Sequence, residues 1–165
     1  MTDAPAPTFP LDLHYLVEHD VWARLHDDGT ATVGITALGI KLSGEIYMCR
    51  PKSVGSVIEQ GRAVAVVELA KAIVSVKSAV TGTVVEINPR LEETPELVHR
   101  DPYGAGWIAR LALRDPSGDA ARLVSGEGVA AAMARHAEAA EREGDSQGED
   151  QGEGGSGGGG IAHGG

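Results

Sequence analysis

Between Arg62 and Val80 the chain reads RAVAVVELAKAIVSVKSAV, two β-branched runs that meet at a short polar interruption carrying Lys71. Val64, Val66 and Val67 precede the interruption, and Ile73, Val74 and Val76 follow it. β-Branched side chains suit a pleated, half-buried surface, so the stretch predicts two strands joined at Leu69-Ala70-Lys71-Ala72 rather than one long helix. That tip holds neither Gly nor Asn. Primed two-residue turns need positive φ at their centre, which leaves a type I turn with negative φ as the expectation. A lysine at such a tip holds its amine in water, with Glu68 as the carboxylate nearest in sequence. An ordinary solvated loop lysine has the same pattern, so the hairpin alone assigns Lys71 no role.

The rest of the chain bounds what such a hairpin can belong to. A length of 165 residues with 42% hydrophobic content predicts one domain with a modest core plus tails. The formal net charge is -10. Such acidity argues against binding nucleic acid or an anionic membrane surface and is compatible with a basic patch on a protein partner. No stretch approaches a membrane span, and MTDAPAPTFP lacks the basic and apolar regions of a signal peptide, so a soluble, cytoplasmic protein is expected. Cys49 is the single cysteine, which excludes an internal disulfide and a cysteine metal site; within Ile46-Tyr47-Met48-Cys49 it reads as a small buried thiol. His14, His19, His26 and His99 lack metal-ligand spacing, and no nucleophile elbow joins the serines, histidines and aspartates. Lys77 falls within a strand and reads as solvated surface.

Taken in order, residues 1–10 are a Pro- and Ala-rich flexible lead. Val17 to Leu25 and Ala31 to Ile35 are strand candidates joined through Asp28-Gly29, a hairpin signal. Ala37 to Leu42 reads as a helical turn and Glu45 to Cys49 as a strand. Ser43-Gly44-Glu45-Ile46 to Pro51 lines up with Thr81-Gly82-Thr83-Val84 to Pro89, because 82 minus 44 and 89 minus 51 both equal 38. Two Gly-led strands flanking the lysine hairpin predict a flattened barrel of two similar half-sheets. Glu92 to His99 predicts a short helix, and Trp107 to Leu113 a half-buried strand closing a domain over residues 11–115. Residues 116–143 form a helical segment, interrupted around Ser125-Gly126-Glu127-Gly128, whose weak apolar face predicts loose packing. Residues 144–165, glycine with scattered acids, are expected to be disordered.

Val67-Glu68-Leu69-Ala70-Lys71-Ala72 resembles the lipoylation tip of the glycine cleavage H-protein family. The likeness continues in register through Ala31-Thr32-Val33-Gly34-Ile35-Thr36, Leu42 to Ile46, Val54-Gly55 to Gly61, Gly82 to Asn88, and Pro95 through Asp101-Pro102-Tyr103-Gly104 to Trp107. It implies a mainly β, flattened, pseudo-twofold lipoyl domain (a barrel-sandwich hybrid) with short helices and a C-terminal helical segment. It also implies lipoate attached covalently to Lys71, and Glu68 as the acid met by the lipoate-attaching enzyme. The protein would then be a swinging-arm carrier and not an enzyme, its arm reaching about 14 Å by ordinary bond lengths. Against this stand a solubility role for Glu68 and, for Cys49, a reactive thiol meeting the arm.

The resemblance divides on cargo. Glycine-cleavage members hold an aminomethyl cargo near a glutamate just before an N-terminal tryptophan and an aspartate four positions after the lysine. Here those arm-cleft positions fall on Val21 and Ser75, so both acids are absent and an ammonium-bearing cargo would lack its counter-ions. Thr36 to Lys52 instead resembles the H-like lipoate-binding proteins that accompany heterodisulfide-reductase-like complexes in sulfur oxidation. The expectation is therefore a carrier of sulfur-bound intermediates partnered by such a complex, with Arg50 and Lys52 favouring anionic sulfur or forming an ordinary basic turn, and with dihydrolipoamide dehydrogenase as a further partner. The H protein of the glycine cleavage system is the alternative, and an unmodified interaction module is the third reading.

Overall fold

Alternating apolar residues, punctuated by Gly- and Asp-bearing turns, build ten β-strands in two antiparallel sheets in the computed structural model, which describes residues 9–150 and the side chains of 9–142. In chain order the elements are β1 (His14–Leu16), β2 (Val21–Leu25), β3 (Thr30–Ile35), α1 (Ala37–Ser43), β4 (Met48–Pro51), β5 (Val57–Ile58), β6 (Ala63–Glu68) and β7 (Ile73–Lys77). There follow β8 (Gly82–Ile87), α2 (Leu97–Arg100), β9 (Ala109–Leu113), α3 (Pro116–Ala120), β10 (Val124–Ser125) and α4 (Val129–Asp150). The larger sheet runs β10-β1-β2-β3-β9-β8-β5 and the smaller β4-β6-β7. This is a mainly β fold with short helices and a C-terminal helix.

Strand alternation divides the apolar residues between two cores. Val33, Val84, Ala109 and Leu111 of the larger sheet pack in one cluster with Cys49, Val64, Val67 and Val76 of the smaller. The opposite face of the larger sheet holds Leu13, Tyr15 and Trp22, covered by Leu38 of α1 and by Val129 and Met133 of α4. Because Val21, Trp22 and Ala23 are all buried, β2 is enclosed on both faces. Trp22 sits across from Gly34, where a Cβ would lie 2.5 Å from its ring, so this position takes glycine for close approach. The indole Nε1 donates to the carbonyls of Ile35 and Pro102, each at 3.1 Å, which satisfies the one polar group that burying Trp22 exposes to loss.

Several sequence expectations are corrected here. The strand expected over Val17 to Leu25 is split: Val17–His19 is a 3-10 turn, Asp20 adopts the left-handed conformation (φ 63°), and β2 starts after it. An Asp tolerates that conformation where most residues do not. Instead of the Gly-led strand expected from Gly44, that residue ends α1 at φ 80°, and β4 begins at Met48, later than Glu45; its repeat partner Gly82 does open a strand. The turn before α2 also takes up most of the Glu92 to His99 helix. The segment 116–143 is not purely helical, since β10 pairs with β1 and ties it into the larger sheet. Nor is its packing loose: Val129 and Met133 are 0% and 2% exposed. Helix propagation costs less than nucleation, and α4 continues through Asp150, beyond the expected end at Glu143. The remainder of the expected tail, and most of the flexible lead at 1–10, lie outside the described residues. Among the described residues no helix is long and apolar enough to cross a membrane.

Candidate functional site

The Lys71 hairpin is formed by β6 and β7, with Glu68 opposite Ile73, Val67 opposite Val74 and Val66 opposite Ser75. The N–H of Leu69 donates to the carbonyl of Ala72 at 2.8 Å and closes the loop. The reverse bond, which a hydrogen-bonded type I turn would make, is absent, so the tip is an open loop, with the negative φ values that its residues favour. Leu69 packs back against the core and anchors one side of the tip, while Ala70, Lys71 and Ala72 are exposed. Among the described residues Lys71 makes no hydrogen bond or ion pair with a side chain. A free, exposed amine on an anchored tip fits covalent acylation, which removes the ammonium and demands access.

Glu68 is exposed on the outer face of the same strand. It shares that face with Met48, Arg50, Val66 and Ile73 around a depression of about 310 Å³. Ile73 is 70% exposed, so an acidic side chain and an uncovered aliphatic one flank the lysine together.

The two positions singled out for the arm do meet. Val21 and Ser75 both border a cleft of about 120 Å³ beside the edge strand β7, with Ile35, Ile46, Val67 and Val74 as its apolar wall. Val21 is 1% exposed and forms floor rather than rim. Strand alternation gives the cleft side of β7 to Val74 and Val76, and Ser75 shares the face of Val66; its Oγ is 3.5 Å from Lys77 Nζ. Lys77, expected as solvated surface, is half-buried. From Lys71 to Ser75 the strand covers about 13 Å at ~3.3 Å per residue, less than the ~14 Å that a lipoyl group joined to Lys71 would span.

The cleft also contains chemistry that the sequence reading missed. Asp20 and His19 line it, brought there by the left-handed turn ahead of β2. Asp20 Oδ1 is 2.9 Å from Nε2 of His136, which α4 carries across from the far end of the chain. Burial raises the Asp20 carboxyl above the ordinary aspartate value, and His136 opposes that only in part. Burial lowers His19, so it is neutral near pH 7. An acid one residue ahead of Val21 was visible in the sequence; its partner, 116 positions away, had no local signal. Val21 and Ser75 are uncharged, as the sequence has them, and the cleft they border also holds a carboxyl group one residue ahead of Val21.

Cys49 is 2% exposed, and burial pushes its thiol up to about 12, so it is protonated and inert at neutral pH. The histidines are dispersed: His99 Nε2 accepts the N–H of Ile46, and His26 pairs with Thr32. Among the described residues no three His, Cys, Asp or Glu side chains gather as a metal site.

A family model described as glycine cleavage H-protein matches residues 13–136. Glycine cleavage system H protein 2 of Aquifex aeolicus is 41% identical over 72% of this chain and 73% of its own length. The H protein of Thermus thermophilus is 44% identical over 72% and 91%, and that of Marinobacter nauticus 40% identical over 80% and 97%. Among solved structures, the glycine cleavage system H protein of Mycobacterium marinum superposes with a TM-score of 0.59 at 27% identity, covering 64% of this chain and 86% of that one. Sequence match and fold agree, and the chain belongs to the glycine cleavage H-protein family, whose members are carriers with covalently attached lipoate rather than catalysts.

Proposed function

We propose that this chain is the lipoyl carrier of a glycine cleavage system, with lipoate joined to Lys71 and Glu68 read by the lipoate-attaching enzyme. The observation that carries the reading is the free, exposed Lys71 at one end of β7 and, about one arm's length along it, a cleft holding the Asp20 carboxylate. When bound, lipoate would supply a strained S–S bond as the two-electron acceptor: as that bond opens, one sulfur would bond the cargo and the other would leave as a thiol. The chain's own residues position and shelter that cargo. Val21, Val67 and Val74 exclude water from one side, and Asp20 offers a negative charge to an ammonium-bearing group. Dihydrolipoamide dehydrogenase is then the partner that reoxidises the arm.

Sulfur cargo, handed to a heterodisulfide-reductase-like complex, is the second reading. It is favoured by Val21 and Ser75, which are uncharged where the resemblance puts acids. The deciding experiment is reconstitution: lipoylated protein with glycine decarboxylase, aminomethyltransferase and dihydrolipoamide dehydrogenase, followed by glycine-dependent reduction of NAD. Turnover near that of an established H protein supports the glycine reading, and Asp20→Asn should then lower it several-fold, because the ammonium loses its counter-ion. Full lipoylation without glycine turnover overturns the glycine reading.

A further inference from the structure

On the face of the larger sheet turned away from the smaller one, four side chains form a single cross-strand row. Arg24 on β2 is opposite Thr32 on β3, Thr32 is opposite Arg110 on β9, and Arg110 is opposite Glu86 on β8. Two arginines thus flank a threonine on a chain whose formal net charge is -10. Strands lie ~4.8 Å apart, so the arginine Cα atoms are separated by about 10 Å, a gap that their long side chains can close over Thr32. The row floors a pocket of about 250 Å³, walled by Trp107 and Gly104 from the segment ahead of β9 and by His26.

The hydrogen bonds of the row are incomplete in one direction. Arg24 is preorganised: its guanidinium carbon is 5.3 Å from the Trp22 ring centroid, and its Nη2 donates to the Tyr103 carbonyl at 3.1 Å. Its other N–H groups remain for a ligand. His26 Nε2 and Thr32 Oγ1 lie 2.8 Å apart. The Arg110 side chain is 39% exposed, but its Nε atom is shielded and makes no hydrogen bond; Glu86 forms an ion pair with it at 3.7 Å from the exposed rim, beyond hydrogen-bond reach. Asp28 is the other carboxylate that senses Arg110, and its side chain is taken up by Thr30. A buried N–H without an acceptor is costly, and an acceptor arriving from outside removes that cost.

We propose that the pocket over Arg24, Thr32 and Arg110 is a binding site for a small oxyanion, a phosphate or carboxylate group seated between the two guanidinium groups. Planar guanidinium forks match both kinds of oxyanion. The site belongs to the larger sheet, whereas Lys71 belongs to the smaller, so it is separate from the arm and does not depend on which cargo the arm takes.

The test is titration of the full chain, labelled with 15N, against inorganic phosphate and, separately, succinate, with ionic strength held constant by chloride. Expected are saturable shifts of the Arg110 Nε–H and Trp107 indole N–H signals with at least one probe. Saturation by phosphate alone identifies a phosphoryl ligand, and saturation by succinate a carboxylate one. Arg110→Met should weaken binding about ten-fold or more. Glu86→Gln, which removes the competing acid, should tighten it several-fold, an outcome that misfolding cannot mimic. Absence of saturation with both probes, or unchanged affinity in both variants, overturns the proposal.

Discussion

The molecule contains two hairpins of similar length built to opposite ends. Between β2 and β3 the turn is tied down from every side. Asp28 accepts from both the N–H and the hydroxyl of Thr30, Gly29 sits at φ 85°, and the Gly29 carbonyl accepts from Leu113 on β9. Behind that turn, Trp22 and Gly34 lock the register by close packing. Between β6 and β7 the tip has no glycine and one closing backbone bond, with three consecutive exposed residues around Lys71. One hairpin spends its polar groups on holding its own shape; the other leaves a side chain unengaged on a strand whose inner face is anchored. Rigidity beneath and freedom at the tip are what a carrier arm requires.

The sharpest break between the two is chemical. Lys71→Arg should abolish lipoylation completely while leaving the melting temperature unchanged, since arginine keeps the charge but lacks the acylable amine. Intact mass and peptide mapping check it; lipoate found on Lys41, Lys52 or Lys77 instead would move the functional tip elsewhere.

Beneath that tip the structure should be closed. Cys49 pairs with Val67 in the same sheet, and its thiol, raised by burial to about 12, should react with iodoacetamide at pH 8 on the order of a thousand times more slowly in the native protein than in denaturant. The sign follows from linkage: with its folded value above its unfolded one, the thiol contributes stability that is whole below the unfolded value and lost as pH rises toward 12. Comparable native and denatured rates would mean that the sheet under the arm opens readily.

The β2–β3 hairpin should respond to loss of its anchor in stability rather than function. Trp22→Ala leaves a large cavity and two carbonyls without their donor, and should cost about 3–5 kcal/mol in denaturant unfolding. A loss under about 1 kcal/mol would show that this side of the sheet is not what holds it.

The smallest effects set the two turns side by side. Gly29→Ala, with open space around the new methyl but a left-handed backbone, should cost roughly 1 kcal/mol. Ala70→Gly should change stability by less than about 0.5 kcal/mol, because Ala70 is exposed. A larger loss at Ala70 than at Gly29, measured by the same denaturation, would erase the contrast between the hairpins.

Both hairpins were legible in the sequence, since each rests on β-branched alternation and on which residues a turn accepts. The lysine's exposure was legible for the same reason. Element edges were not. Asp20 breaks what reads as a continuous strand from Val17, because a left-handed aspartate is a choice that the neighbouring fold stabilises. The C-terminal segment looked weakly amphipathic, yet Val129 and Met133 are buried because Trp22 and Tyr15 present a second apolar face that no local pattern announces.

What the sequence by itself determined was therefore local: the Lys71 tip, the Asp28-Gly29 turn, the burial of Cys49 and the β character of the domain, all functions of side-chain period and backbone preference over a few residues. Only the tertiary structure decided which distant groups meet. Asp20 and His136 come together because α4 packs across the turn before β2. Arg24, Thr32 and Arg110 form one row because β2, β3 and β9 pair in register, and an irregularity in β8 between Val84 and Glu86 brings Glu86 opposite Arg110. Register between strands remote in sequence is set by how whole faces bury against one another, and a shift of one residue would turn each of those side chains to the opposite face.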